Sequence, residues 1–204
     1  MSTREWYKVL LEDKVLMSEP LEQSPAKLIP IRVENLDPTN DWLETWRLAR
    51  ISGLASDLTS FLFKMIHCLL PTQDRVQRLG VAVGGQPGLC KLCHQDMEDT
   101  LHALFSCQQS QVAGHALLGY ARKASPNLSP EESLMLHIGH NLQKEEELAV
   151  VCLLATGWLY IWQARLEKKQ VCLFRMRAEL EAMISVLRKS RHGKTGEIML
   201  EMIS

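Results

Sequence analysis

Three cysteines and a histidine crowd into residues 90–107, and no other feature limits the possible folds as tightly. The spacing is Cys90-x2-Cys93, then eight residues to His102, then four to Cys107. A Cys-x2-Cys turn brings two sulfurs within reach of one ion, and its backbone amides can hydrogen-bond the thiolates. His102 and Cys107 lie five apart, close enough to face one side across a turn or two of helix. Four soft or borderline ligands in closed tetrahedral order suit zinc and leave no position for water, which marks a structural site. Two other readings of the cysteines are free thiols in a polar loop and a redox Cys-x-x-Cys, but the strand-then-helix context of a redox motif is missing. His94 competes with His102 as a ligand, although its place next to Cys93 would strain the chelate. A structural zinc site of this type contributes about 10–16 kcal/mol. Metal is therefore expected to decide whether residues 84–107 fold.

The chain has 204 residues, 46% of them hydrophobic, enough to bury a real core. Six cysteines in this length do not make a disulfide scaffold, and residues 2–13 carry charges on both sides of short apolar runs without an export signal. An intracellular location, nucleus or cytoplasm, is expected. Cys68, Cys152 and Cys172 sit in apolar, helix-like runs and read as small buried hydrophobes. The apolar run 148–162 falls short of the roughly 20 residues a membrane helix needs, so it reads as a buried core helix with no membrane partner.

Along the chain, residues 3–11 read as a short amphipathic helix. An extended arm follows, punctuated by Pro20, Pro25, Pro30 and Pro38. Trp42 and Trp46 share one helical face. Apolar residues Leu58, Phe61, Leu62, Met65, Ile66 and Leu69 recur at helical spacing over 54–70. Pro71 stops that helix, Thr72 caps a short one through Leu79, and Gly80 suits its C-terminal cap. A glycine-rich turn, 84–88, leads into Cys90. After Cys107 a helix spans 108–122, and Ser129-Pro130-Glu131-Glu132 carries a capping box. Residues 143–191 predict two long helices, or one bent near Lys168-Lys169-Gln170. The expected fold is mostly α, a helical domain built around a Cys-Cys-His-Cys zinc knuckle. Its parts are an N-terminal helix and extended arm over 1–40, the zinc-binding helical domain over 41–125, and long C-terminal helices over 126–204.

The run from Phe61 through Leu69-Leu70-Pro71-Thr72 to Arg75, Arg78 and Gly80 resembles the entry to a known domain. That domain is the reverse-transcriptase zinc-binding domain of non-LTR (LINE-type) retrotransposons. Cys90-Lys91-Leu92-Cys93 and Glu98-Asp99-Thr100-Leu101-His102-Ala103-Leu104-Phe105-Ser106-Cys107 are similar to its second half. Trp158-x3-Trp162-x2-Arg165 resembles the helix that often closes such regions. Phe63 departs from the pattern, standing where tryptophan is common. The resemblance covers 42–107 with an echo at 150–166. It implies derivation from the C-terminal part of a retroelement polyprotein, where the knuckle helps to hold nucleic acid.

Nothing in the chain carries catalysis. It has no Asp-Asp pair, no phosphate-cradling Gly-x-x-x-x-Gly-Lys and no Gly-x-Ser-x-Gly, so it is not expected to be an enzyme. Glu145, Glu146 and Glu147 suit a helix start, and His115, His137 and His140 read as structural or surface residues. The net charge of −1 argues against binding nucleic acid through bulk charge. Two local patches are candidates for phosphate contact: Lys64, Arg75, Arg78 and Lys91 near the knuckle, and Arg188, Lys189 and Arg191 within a basic stretch running from Arg165 to Lys194. The bland reading of that stretch is the solvated side of a helix whose other side is Leu173, Met176, Leu180, Ile184 and Leu187. Two functions follow. One is a domain that contacts RNA or DNA weakly and without base specificity. The other is a protein-interaction module stapled by zinc, docking a partner through the N-terminal arm or a C-terminal helix.

Overall fold

The computed structural model describes residues 55–66, 69–78, 88–136, 138 and 142–204. The expected helix at 3–11, the proline-rich arm, the Trp42/Trp46 face, Cys68, Gly80, His137 and His140 lie outside the described residues. The described part is mostly helical. Its β structure is a single antiparallel bridge, Leu89 with Met97.

Apolar spacing gives the first helix. In α1, Ser56–Ile66, the residues Leu58, Phe61, Leu62, Met65 and Ile66 are buried on one side. The helix is shorter than the expected 54–70: Leu69 and Leu70 are non-helical ahead of Pro71, which disfavours helix at the residue before it, and Leu70 is still buried. The short helix α2, Gln73–Arg78, starts directly after Thr72. A π-helical turn, His102–Ser106, precedes α3, Gln111–Ala121. The α-helix is thus shorter than the expected 108–122, because residues 108–110 form a turn first. The capping box is present at α4, Pro130–Leu134. Glu132 N–H donates to Ser129 Oγ at 3.1 Å, and Ser129 N–H donates to the Glu132 carboxylate at 2.8 Å.

The centre of the molecule is α5, Lys144–Leu166, which meets α1, α3, α6 and α7. Residues 148–158 are all buried. This helix is long and apolar enough to cross a membrane, yet 72% of its apolar window is buried against the other helices. Its acidic first turn complements the helix dipole, and Glu146 accepts a hydrogen bond from Gln143 N–H at 2.9 Å. Gly157 marks the crossing with α3, since a Cβ there would lie 2.5 Å from the Leu117 methyls.

The long C-terminal region is two helices. The chain breaks at 167–172, where Lys168 takes a left-handed conformation with φ 54°, and resumes as α6, Leu173–Arg188. Met176, Leu180, Ile184 and Leu187 bury the predicted stripe, each contributing about 1.5–3 kcal/mol. Leu173 stands at its edge, partly exposed. Cys172 corrects an expectation. It is exposed rather than buried, because it lies in the extended link before α6, with its N–H donating to Tyr160 Oη at 3.1 Å. Cys152 is buried, as expected. A last helix, α7, Gly193–Ile203, buries Met199, Met202 and Ile203 against α5 and α6. The buried apolar residues form one continuous core from Leu58 to Ile203.

Candidate metal centre

A small hairpin carries the first two ligands. Leu89 pairs with Met97, Cys90 N–H donates to the Asp96 carbonyl at 2.8 Å, and Glu98 N–H donates to the Gly88 carbonyl at 2.8 Å. At its tip the chain turns so that the amides of Leu92 and Cys93 point at Cys90 Sγ, at 3.4 and 3.5 Å. His94 completes the reversal with φ 57°, its N–H bonded to the Cys90 carbonyl at 2.9 Å. Its side chain is exposed and stands outside the ligand cluster, so the competitor for His102 drops out.

The π-turn explains the spacing of the other two ligands. On an α-helix, residues five apart point about 140° away from each other. Here Cys107 N–H instead closes on the His102 carbonyl at 2.8 Å, an i to i+5 bond that widens the turn. His102 and Cys107 then reach the same ion-sized space. Asp99 caps the start of the turn, accepting from His102 N–H at 2.6 Å. Ser110 ties off its end through a 2.8 Å bond from Oγ to the Ala103 carbonyl.

Cys90, Cys93, His102 and Cys107 bring their ligand atoms within 4.8 Å of one another, a group able to hold a metal ion. Cys90 Sγ lies 3.7 Å from Cys107 Sγ, and Cys93 Sγ lies 3.4 Å from His102 Nε2. A tetrahedron with metal–sulfur bonds of about 2.3 Å and metal–nitrogen bonds of about 2.0–2.1 Å has edges of about 3.8 Å and about 3.5 Å. The donor set fits. Cys90 and Cys107 are fully buried, whereas Cys93 is half-buried.

Behind the ligands sits a buried ion pair, Glu98 with Arg165. The Glu98 carboxylate also accepts from Gln73 N–H at 3.2 Å and Lys91 N–H at 3.1 Å, while its carbonyl accepts from Asp74 N–H at 3.0 Å. Arg165 comes from α5, lies over the Trp162 ring at 5.9 Å, and donates from Nη1 to Cys90 Sγ at 3.6 Å. One carboxylate thus joins the start of α2, the hairpin and the central helix. On the solvent side, His102 Nδ1 lies 4.0 Å from the exposed Asp96 carboxylate.

The cysteines' acidities reflect this crowding. Burial disfavours the Cys90 thiolate, but the amides of Cys93 and Leu92, then Arg165 and His102, outweigh it and lower its pKa to about 5. Cys107 goes the other way. Burial, reinforced by the neighbouring Cys90 and Cys93, raises it to about 12 against the pull of the Gln109 amide. Three sulfurs and an imidazole packed this closely form a donor set that could hold a cation.

The basic candidates separate. Lys64 and Lys91 are exposed, as are Arg188, Lys189 and Arg191 around the α6–α7 turn. Arg75 is half-buried, with Nε and Nη2 withdrawn from solvent, and the Arg78 side chain lies outside the described residues. Arg165, counted at the sequence level with the C-terminal charges, belongs instead to the interior beside Cys90. Its role, and that of Glu98, escaped sequence reasoning. The available signal was a lone arginine at the end of an apolar run, on a helix otherwise bound for the core. No family model, no curated protein and no solved structure matches this chain.

Proposed function

We propose that Cys90, Cys93, His102 and Cys107 hold a zinc ion as the structural staple of a non-catalytic, retroelement-derived domain. The likeness of 42–107 to the reverse-transcriptase zinc-binding domain supports that origin. In this reading the domain helps to bind RNA or DNA through phosphate contacts. The observation that carries the proposal is the closed Cys3His cluster with tetrahedral edge lengths. All four ligand positions are filled by protein, so the ion stabilises the fold and has no open site for chemistry. For nucleic acid, the support is the set of exposed cations Lys64, Lys91, Arg188, Lys189 and Arg191. Such contacts are weak, salt-dependent and blind to base sequence.

Two measurements test this. The purified protein should carry one equivalent of zinc, and the Cys107→Ser protein should lose it, with its thermal transition shifted to lower temperature. Retention of one metal equivalent and an unshifted transition would sink the metal assignment. Binding to single-stranded RNA and duplex DNA should be detectable at low salt and fall steeply as salt rises. No detectable affinity for either at low salt would end the nucleic-acid reading.

A second reading has its own observation. Phe174, on the first turn of α6, is 80% exposed, and Leu166 just before the break is 60% exposed. Large apolar side chains so placed on a C-terminal helix favour a protein partner, with zinc as a purely structural staple. A pull-down that recovers one defined partner, and loses it with Phe174→Ser, would support this reading.

A further inference from the structure

We infer that Arg165 is a positioning residue of the metal centre: by gripping Cys90 Sγ it sets how tightly the ion is held. This rests on the four-ligand reading above and extends it to a residue on a different helix, 75 positions away.

Charge comes first. A divalent ion with three thiolates and a neutral imidazole carries one net negative charge. Cys90 and Cys107 are fully buried, so part of that charge sits out of water, where an uncompensated charge is costly. Arg165 brings a cation to it with a side chain only 4% exposed. The Glu98 carboxylate on Nη2 offsets the cation in sum, but Nη1 is the nitrogen turned to Cys90 Sγ, so the pair presents its positive end to the sulfur.

Geometry comes second. The planar fork lets one group serve a carboxylate and a sulfur at once, which a lysine ammonium on a flexible stem does poorly. Glu98 on one edge and the Trp162 ring nearby fix the orientation of the fork. Cys90 Sγ therefore accepts from three donors: the amides of Leu92 and Cys93, and Nη1 of Arg165. Outer groups of this kind orient a ligand and tune its basicity.

The test uses the full chain loaded with cobalt(II) and with zinc. The variants are Arg165→Lys and the double change Glu98→Gln with Arg165→Met, which removes both buried charges together. Chelator competition should show metal affinity falling about 10–100-fold in the double variant, with Arg165→Lys in between. The thiolate-to-cobalt charge-transfer band should move to longer wavelength, because a sulfur that loses a donor gives up electrons more readily. A purely structural strut would lower the melting temperature and leave that band in place. An unshifted band with affinity within twofold of the parent in both variants overturns the inference. If the double variant does not fold, the band and affinity of the Arg165→Lys protein decide alone, by the same criteria. A parent protein that binds neither metal would instead overturn the four-ligand reading, an outcome separate from either result on Arg165.

Discussion

Phe105 and Trp158 meet edge to face, ring centres 4.5 Å apart and planes inclined by 61°. Phe105 lies inside the π-turn, between His102 and Cys107, and Trp158 lies in the middle of the central helix. Both side chains are at most 2% exposed. The turn that carries two of the four candidate ligands is thus packed directly onto the core.

Removing that contact should reach both. Phe105→Ala is expected to cost about 3–5 kcal/mol of stability, read by urea unfolding with metal in excess. Metal affinity should fall with it, read by chelator competition. A loss of stability with metal affinity unchanged would mean that the turn holds its ligands without help from the core.

Two glycines of α3 should respond in opposite directions. A Cβ at Gly114 would lie 2.4 Å from the Leu104 carbonyl oxygen, a backbone atom of the π-turn that cannot yield. Gly114→Ala should therefore destabilise by about 1–3 kcal/mol. Gly119 has open space around its missing Cβ, so Gly119→Ala should gain about 0.5–1 kcal/mol from helix propensity alone. Thermal unfolding of the two proteins checks the order, and equal shifts would refute the close approach at Gly114.

The parts of the fold legible in the sequence are those governed by local rules. Ligand spacing, the α1 stripe, the Ser129 capping box and the buried face of α6 each depend on neighbours within a few residues. The π-turn was not legible, because it rests on close packing against Gly114 and Trp158, which lie outside its own segment. Nor was the Glu98–Arg165 pair. A charge that reads as surface from its neighbours becomes interior when a partner 67 positions away arrives beside it. Cys172 failed for the opposite reason: its apolar neighbours suggested a helix interior, but the chain breaks there and leaves it in the link.

Stability of the metal-free protein should peak on the alkaline side of neutral. Cys90 has its pKa lowered to about 5, so the stability it gives is present above the ordinary thiol pKa of 9.0 and is lost as pH falls toward 5. Cys107, raised to about 12, contributes fully below 9.0 and loses its contribution as pH climbs toward 12. The two slopes together place the optimum near pH 9. With metal bound all three sulfurs are thiolates, so the loaded protein should instead hold a plateau through neutral pH and release metal in acid with proton uptake. Melting temperature against pH, with and without a chelator, measures both curves. A metal-free optimum below pH 7 would contradict the assignment of the first thiolate to Cys90.

His94 offers the sharpest separation of ligand from neighbour. It sits one residue after Cys93, carries a ring able to bind metal, and holds φ 57°, a conformation that costs an ordinary residue about 1–2 kcal/mol. Were it a ligand, replacing it would remove metal. Because its side chain is exposed and outside the cluster, His94→Gly should keep one equivalent of metal. Glycine also relieves the left-handed backbone, at the cost of a more flexible unfolded chain. The net change should lie between zero and about 1 kcal/mol of stabilisation. The paired change His102→Gly should abolish binding, since it deletes the nitrogen 3.4 Å from Cys93 Sγ and leaves three sulfurs with an open position. Metal content by mass spectrometry under native conditions reads both at once. Metal retained by His102→Gly and lost by His94→Gly would exchange the two histidines' roles.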